Sequence, residues 1–205
     1  MPVVFRDMSS RLSLGGLVMA MAIVHASAAQ ESLRVGERMP ELTGHTLTGR
    51  TAVLPQASAG MVTLVAMGFT YQSRFPVDAW ADWYRTTIDP AVVTFFEVPM
   101  IGGMATLGRW FITRGMRSGT PVELHDHVIT VYRGTSTWKQ RLSHSTGHED
   151  DAYLIALDTQ GVVRWLHHGM FDRSRADELK GLLMSLADRH PGAAGPDHAV
   201  QRSEP

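Results

Sequence analysis

The stretch Met61-Val-Thr-Leu-Val-Ala-Met-Gly-Phe69, continued by Thr70-Tyr-Gln-Ser-Arg74, decides the fold of this chain. Its first part is an almost unbroken apolar run of strand length, which is typical of a central β-strand buried on both faces. Ser73 is placed to cap a following helix, and Pro76 falls in the first turn of that helix, where a missing N–H is harmless. Apolar residues then recur with helical period at Val77, Trp80, Ala81, Tyr84 and Ile88. The stretch predicts a central strand that leads through a tight turn into an amphipathic helix.

Composition limits the classes of protein that this chain can belong to. With 205 residues, of which 44% are hydrophobic and 19% charged, it is long enough for one globular domain with terminal extensions. The net charge of -1 argues against a nucleic-acid or anionic-membrane partner, since either would need a basic excess. The chain contains no cysteine, which excludes disulfides, zinc–thiolate sites, iron–sulfur clusters and thiol catalysis.

The N-terminal segment has the pattern of a signal peptide, which we assign to residues 1–29. Arg6 and Arg11 precede an apolar run from Leu12 to Val24, and the small-residue site Ala26-Ser-Ala28 follows. The run is shorter than the roughly 20 residues of a membrane span, so membrane association is expected only if the segment stays uncleaved. We therefore predict a secreted or periplasmic protein. A mitochondrial presequence is the alternative interpretation.

The remaining pattern predicts a lead-in at 30–56, one domain at 57–190 and a disordered tail at 191–205. In the lead-in, Gly44 to Gly49 indicates a short hairpin. Further strands are predicted at Ala91–Val98, His127–Tyr132, Tyr153–Leu157 and Val162–Leu166. Helices are predicted at Met104–Met116, and after Ser174-Arg-Ala-Asp177, whose spacing is that of a capping box. A polar connection, 133–151, is expected to be held to the body by Trp138 and Leu142.

The order of these elements, together with the segment from Tyr153 to Gly169 (YLIALDTQGVVRWLHHG), resembles the thioredoxin-like superfamily. The resemblance implies a three-layer α/β/α fold with a mixed central sheet. Active relatives carry Cys-x-x-Cys or one peroxidatic cysteine in the turn after the first central strand, and a cis-proline before the final hairpin. Here those positions read Thr70-Tyr-Gln-Ser-Arg74 and His148-Glu-Asp-Asp-Ala152. Both markers of thiol chemistry are missing.

Within that superfamily the chain looks most similar to the mitochondrial ATP synthase assembly-factor family, whose members lack catalytic cysteines. The similarity rests on Trp80, on Glu97-Val-Pro-Met-Ile-Gly102, on Gly115-Met-Arg117 and on the final hairpin. It implies a non-catalytic assembly factor or chaperone that binds a protein client and needs no cofactor. An export signal departs from a family that acts inside mitochondria, so the resemblance does not name the client.

The predicted binding residues are Tyr71 and Arg74 in the turn and Trp80 in the helix after it. A helix N-terminus offers N–H groups and a dipole that can hold a carboxylate or phosphate, and aromatic and arginine side chains are enriched at binding hot spots. A capped, solvated turn that binds nothing is the alternative. The methionines between Met100 and Met116 are a second candidate surface.

Histidines carry the alternative functional hypothesis, a metal-binding or metal-delivery protein of the envelope. His125, His127 and His148 are the candidate ligands, with Asp126 or Glu149 as an orienting carboxylate, and His144 and His167-His168 are close in sequence. The opposing interpretation is that these are exposed strand-end histidines bonded to main-chain groups. An enzyme with non-thiol chemistry is a third hypothesis, but no histidine and acid have a spacing that selects them as partners of Ser73.

Overall fold

The structure, a computed structural model, describes residues 32–102 and 108–189. The predicted signal peptide, the predicted tail and His190 lie outside the described residues, as do Met104 and Leu107 of the predicted second helix. The strands are β1 (Leu42–Thr46), β2 (Thr51–Leu54), β3 (Val62–Gly68), β4 (Val93–Pro99), β5 (Ile129–Thr130), β6 (Ala152–Leu157) and β7 (Val163–Gly169). The helices of more than one turn are α1 (Arg74–Thr87), α2 (Arg109–Gly119), α3 (Thr135–Arg141) and α4 (Arg173–Asp188).

A mixed sheet in the order β4-β3-β6-β7 forms the centre of the molecule. β3 runs parallel to β4 and antiparallel to β6, which pairs antiparallel with β7. The predicted lead-in hairpin is present as β1 and β2, which pair antiparallel, and β1 also pairs with β5. Bridges from Glu97 to Val128 and from Met100 to Val131 connect the β5 segment to the edge of β4. The predicted mixed-sheet α/β fold is confirmed.

Each face of β3 belongs to a separate hydrophobic core. Val62, Leu64 and Ala66 pack with the apolar stripes of α1 and α4 on one face. Val65 and Met67 pack on the other face with the lead-in, with β5 and with Trp138 of α3. Because alternate side chains of a strand point to opposite faces, a strand covered on both sides must be apolar throughout. This explains the uninterrupted run after Met61.

The predicted final hairpin is also observed. In its turn, Gly161 has φ +76°, a conformation that L side chains rarely adopt. The carboxylate of Asp158 accepts the main-chain N–H groups of Gln160 (2.9 Å) and Val162 (3.0 Å), which fixes the turn from within. No helix among residues 32–102 and 108–189 is long and apolar enough to cross a membrane.

Three local predictions were wrong. No helix was predicted in the connection 133–151, which contains helix α3; buried Trp138 holds this connection to the core as expected. The N-cap of α4 is Asp172, whose Oδ1 accepts the Arg175 N–H at 2.9 Å, so the capping box starting at Ser174 does not form. The Ser73 hydroxyl precedes α1 but makes no capping bond to the helix.

Candidate functional site

The turn between β3 and α1 is held by a closed set of hydrogen bonds. Ser73 Oγ donates to the Thr70 carbonyl (2.7 Å) and accepts the Thr70 N–H (3.1 Å). Thr70 Oγ1 in turn accepts the Ser73 N–H (3.0 Å) and donates to Oδ1 of Asp150 (2.6 Å). Gly68 permits this arrangement, because a Cβ there would lie 2.5 Å from Ser73 Oγ. The turn is therefore rigid and fastened to the loop before β6.

Tyr71 and Arg74, both predicted binding residues, lie together on this turn. The Arg74 guanidinium stacks on the Tyr71 ring at 4.1 Å and on the Phe75 ring at 4.5 Å, and it also donates to the Tyr71 hydroxyl. Tyr71 is 70% exposed and Phe75 is 53% exposed. The N–H of Phe75 is already bonded to the Gln72 carbonyl, and Pro76 has no N–H, so the helix start offers fewer donors to an anion than the sequence suggested.

Trp80, the third predicted binding residue, must be corrected. Its relative exposure is 0%, and its ring packs edge-on against Trp83 and Phe171 inside the core. The helical period that made Trp80 notable points it toward the sheet. Trp80 lies in the core that α1 forms with the sheet and is not part of the surface around the turn.

A cleft of about 550 Å³ opens beside the turn, between the start of α1 and helix α2. Tyr71 and Arg74 lie at the α1 side of the cleft. Its apolar wall is formed by Val77, Phe111, Ile112 and Met116, and Glu97 and Asp78 add two carboxylates. In the described part of α2, Trp110 is 64% exposed and Phe111 is 73% exposed. The apolar spacing predicted a helix here, and the structure leaves both of these aromatic side chains on its surface.

Glu97 has the most altered electrostatic environment of the cleft residues. Burial raises its pKa to about 7, the neighbouring charge of Asp78 adds to the rise, and Arg85 opposes it. The Arg85 Nη1 atom lies 3.7 Å from Oε1 of Glu97. Partial burial, together with Asp82, also raises the pKa of Asp78. The cleft thus contains an acid that changes its charge near neutral pH.

The three histidines proposed as a metal site do not converge. His125 Nε2 lies 3.0 Å from the Thr120 carbonyl, and His127 Nδ1 lies 3.1 Å from the Phe95 carbonyl. Among the described residues, His148 belongs to a different group with metal-ligand spacing, which it forms with Asp151 and His168. The ligand set as predicted is therefore wrong, because His125 and His127 are engaged with main-chain groups at another part of the fold.

Sequence reasoning missed Glu97, Phe111 and Asp151 as functional candidates. Glu97 had a visible signal, since an acid interrupts the apolar run Phe95-Phe-Glu-Val98 of a strand. Asp151 gave none by itself, because its partner His168 is separated from it in sequence and approaches only through the pairing of β6 with β7.

The mixed sheet, the helix that follows its central strand and the position of the cleft at that strand's end are features of a thioredoxin-like fold. No family model and no curated protein matches the sequence. Among solved structures, BsSco, of the Sco family of cytochrome c oxidase assembly proteins, matches with a TM-score of 0.53 and 12% identity, covering 78% of this chain and 98% of its own.

Two further structures give the same result. A DsbE-type thiol:disulfide interchange protein from Chlorobium tepidum has a TM-score of 0.52 and 14% identity, with 76% of this chain and 99% of its own covered. A peroxiredoxin-like protein from Aquifex aeolicus has a TM-score of 0.52 and 12% identity, with 76% and 88% covered. At these identities the likeness establishes the fold alone: the chain has a thioredoxin-like fold, and its sequence contains no cysteine.

Proposed function

We propose that this protein is a non-catalytic binding protein of the cell envelope that assists the assembly or folding of a membrane or envelope complex. One observation carries the proposal: where thioredoxin-like enzymes place their thiols, this chain presents Tyr71 and Arg74 at the edge of an open, largely apolar cleft. Where such an enzyme holds the thiol that attacks a disulfide, this chain has side chains that can bind a partner but cannot react with a disulfide.

The chemistry of the cleft favours a protein segment as its occupant. Exposed aromatic side chains line both sides of the cleft, Tyr71 on the α1 side and Phe111 on the α2 side. Phe75 and Trp110, close to them in sequence, are exposed as well. Exposed apolar groups concentrated in this way mark interaction surfaces. Tyrosine, tryptophan and arginine are the residue types that most often dominate binding energy.

The client segment that fits best is extended, with an apolar side chain followed by a basic one. The apolar side chain packs on Val77, Ile112 and Met116, and the basic one reaches the carboxylates of Glu97 and Asp78. This charge pattern gives register and specificity to an otherwise adaptable apolar contact. Met116 suits a surface that accommodates clients of varied shape.

The envelope location rests on the sequence. Arg11, the apolar run to Val24 and Ala26-Ser-Ala28 have the pattern of an exported precursor. The resemblance to the ATP synthase assembly-factor family supports an assembly role, and BsSco, named as a member of a family of assembly proteins, has a comparable fold. The client of this chain is not taken from either.

The test compares the wild type with the double variant Tyr71→Ala/Arg74→Ala in co-purification from the envelope fraction of the source cells. A partner counts once reciprocal purification with the partner as bait recovers this protein. Truncation of a hot-spot residue costs about 2 kcal/mol or more, so the double variant should weaken binding by at least about 30-fold. Its melting temperature should stay close to that of the wild type, since exposed substitutions change stability by about 0.5 kcal/mol at most.

Val35→Ala is the matched control, because Val35 is a 59% exposed apolar residue that does not line the cleft. It should retain the partner fully. Equal recovery of a confirmed partner by the double variant and the wild type would overturn the proposed binding site. Failure to recover any partner that reciprocal purification confirms would overturn the proposed function.

A further inference from the structure

Two histidines and an aspartate meet where the loop before β6 contacts the end of β7. Nδ1 of His148 and Nδ1 of His168 both donate to the same oxygen, Oδ2 of Asp151, at 2.9 and 2.8 Å. The two imidazole rings stand nearly edge to face, with centroids 4.7 Å apart. Within residues 32–102 and 108–189, this is the group of three side chains whose potential ligand atoms all lie within 4.8 Å of one another.

We propose that His148, Asp151 and His168 bind a divalent transition-metal ion, with Zn²⁺ as the ion that their chemistry fits best. Two imidazole nitrogens and one carboxylate oxygen are a ligand set typical of zinc, and three protein ligands leave one coordination position open. The three candidate ligands do not line the cleft, so the proposed metal site does not depend on the proposed function.

The two distances between a histidine nitrogen and the Asp151 oxygen require only a small rearrangement. Zinc binds nitrogen and oxygen at about 2.0–2.2 Å in a tetrahedral arrangement, which places ligand atoms about 3.4 Å apart. The two bonds to Asp151 therefore have to open by about 0.5 Å. When the ion binds through Nδ1, each neutral imidazole carries its proton on Nε2, so the ion takes the place of the two shared hydrogen atoms.

Access from solvent and support from the fold are both present. The side chains of His148 and His168 are 50% and 43% exposed, whereas that of Asp151 is 15% exposed beneath them. Tyr153 positions both histidines: its ring stacks on His168 at 5.3 Å, and its hydroxyl donates to the His148 carbonyl at 3.0 Å. Such supporting contacts orient metal ligands before the ion arrives.

The neighbouring acids have other roles, which leaves Asp151 as the carboxylate of the site. Glu149 accepts the Gly147 N–H at 2.7 Å, and Asp150 accepts the Thr70 hydroxyl at 2.6 Å. His167, next to His168 on β7, points to the opposite face and packs near Trp80. The candidate ligand set is therefore the loop pattern His148-x-x-Asp151, completed by His168 from β7.

Calorimetric titration of the purified protein with Zn²⁺, after treatment with a chelator and its removal, tests the site. We expect one ion per chain, and an affinity that falls at least about tenfold in His148→Asn, in His168→Asn and in Asp151→Asn. Asparagine keeps a side-chain N–H near the position of Nδ1 but is a poor zinc ligand, so the bond to Asp151 can persist. His45→Asn, at an exposed histidine of β1, is the control and should bind as the wild type does.

A second measurement uses the wild-type protein alone. Paramagnetic Co²⁺, which takes the same ligands as Zn²⁺, should first broaden the backbone amide signals of residues 148–151 and 167–169. Zinc affinity unchanged in the His148→Asn/His168→Asn double variant would overturn the proposal. Broadening that begins elsewhere, or no heat of binding at millimolar Zn²⁺, would overturn it as well.

Discussion

Ionisation of the partly buried Glu97 carboxyl makes the stability of the folded protein depend on pH. The folded protein holds the proton of this carboxyl up to about pH 7, whereas the unfolded chain releases it near its ordinary value of 4.5. Below pH 4.5 both states are protonated and the burial of the group adds no pH-dependent penalty. Between 4.5 and 7 the folded state binds more protons than the unfolded state, so stability falls as pH rises.

We therefore expect Glu97→Gln to be more stable than the wild type at pH 8 and nearly equal to it at pH 4. The gain should be at most about 3 kcal/mol, because each pKa unit corresponds to about 1.4 kcal/mol and the pKa rises from 4.5 to about 7. Urea unfolding at several pH values measures it, with Glu123→Gln at an exposed acid as the control. A stability difference that stays constant from pH 4 to 8 would show that another group carries the pH dependence.

Single residues also mark where sequence patterns stop being informative. The period of α1 identified Trp80 correctly as part of an apolar stripe, but the period cannot separate a core side chain from a contact side chain. Tyr71 and Arg74 could be selected because they follow a buried strand. Asp151 and His168 could not be paired, because their approach depends on the register between β6 and β7.

At the scale of elements, the start of α4 gives a direct test between two capping schemes. The sequence spacing favours Ser174 as the N-cap, whereas in the structure Asp172 accepts the Arg175 N–H and the Ser174 hydroxyl donates to Asp172 at 2.7 Å. Loss of an N-cap acceptor leaves a helix N–H without its partner.

Asp172→Ala should therefore lower the melting temperature by about 2–4 °C, and Ser174→Ala should lower it by less. Thermal unfolding followed by circular dichroism measures both. The opposite order would mean that the capping box of the sequence is the one that forms in solution. Because α4 packs its apolar stripe onto β3, the whole cooperative transition should move rather than a local one.

Helices α2 and α3 show why some elements were harder to predict. α3 is seven residues long and has one buried anchor, Trp138, so it lacks the repeated stripe that identifies a helix in sequence. α2 does have apolar residues at helical spacing, but Phe111 is directed to the cleft and to solvent. Periodicity reports that one face is apolar, and it does not report whether the rest of the protein covers that face.

Over the whole molecule, the order of strands and helices was predictable because each central element has a strong pattern of its own. The continuous apolar run of β3, the stripe of α4 and the Asp158–Gly161 turn each allow few alternatives. The cleft was not predictable, because it forms between the start of α1, the end of β4 and α2. None of these is unusual alone, and only the tertiary arrangement brings them together.

The last prediction concerns thiol chemistry. The chain contains no thiolate to attack a disulfide or a peroxide, so the purified wild type should match the buffer blank in dithiothreitol-driven insulin reduction and in peroxide consumption.

The variant Tyr71→Cys/Arg74→Cys introduces Cys-x-x-Cys spacing at the start of α1, where a helix N-terminus lowers a thiol pKa. We expect it to reduce insulin slowly but measurably, with each disulfide reduced at the expense of dithiothreitol. Single variants Tyr71→Cys and Arg74→Cys are the controls, since one thiol cannot resolve the mixed disulfide. Insulin reduction by the wild type above the blank would show that the protein reduces disulfides by chemistry that needs no thiol of its own.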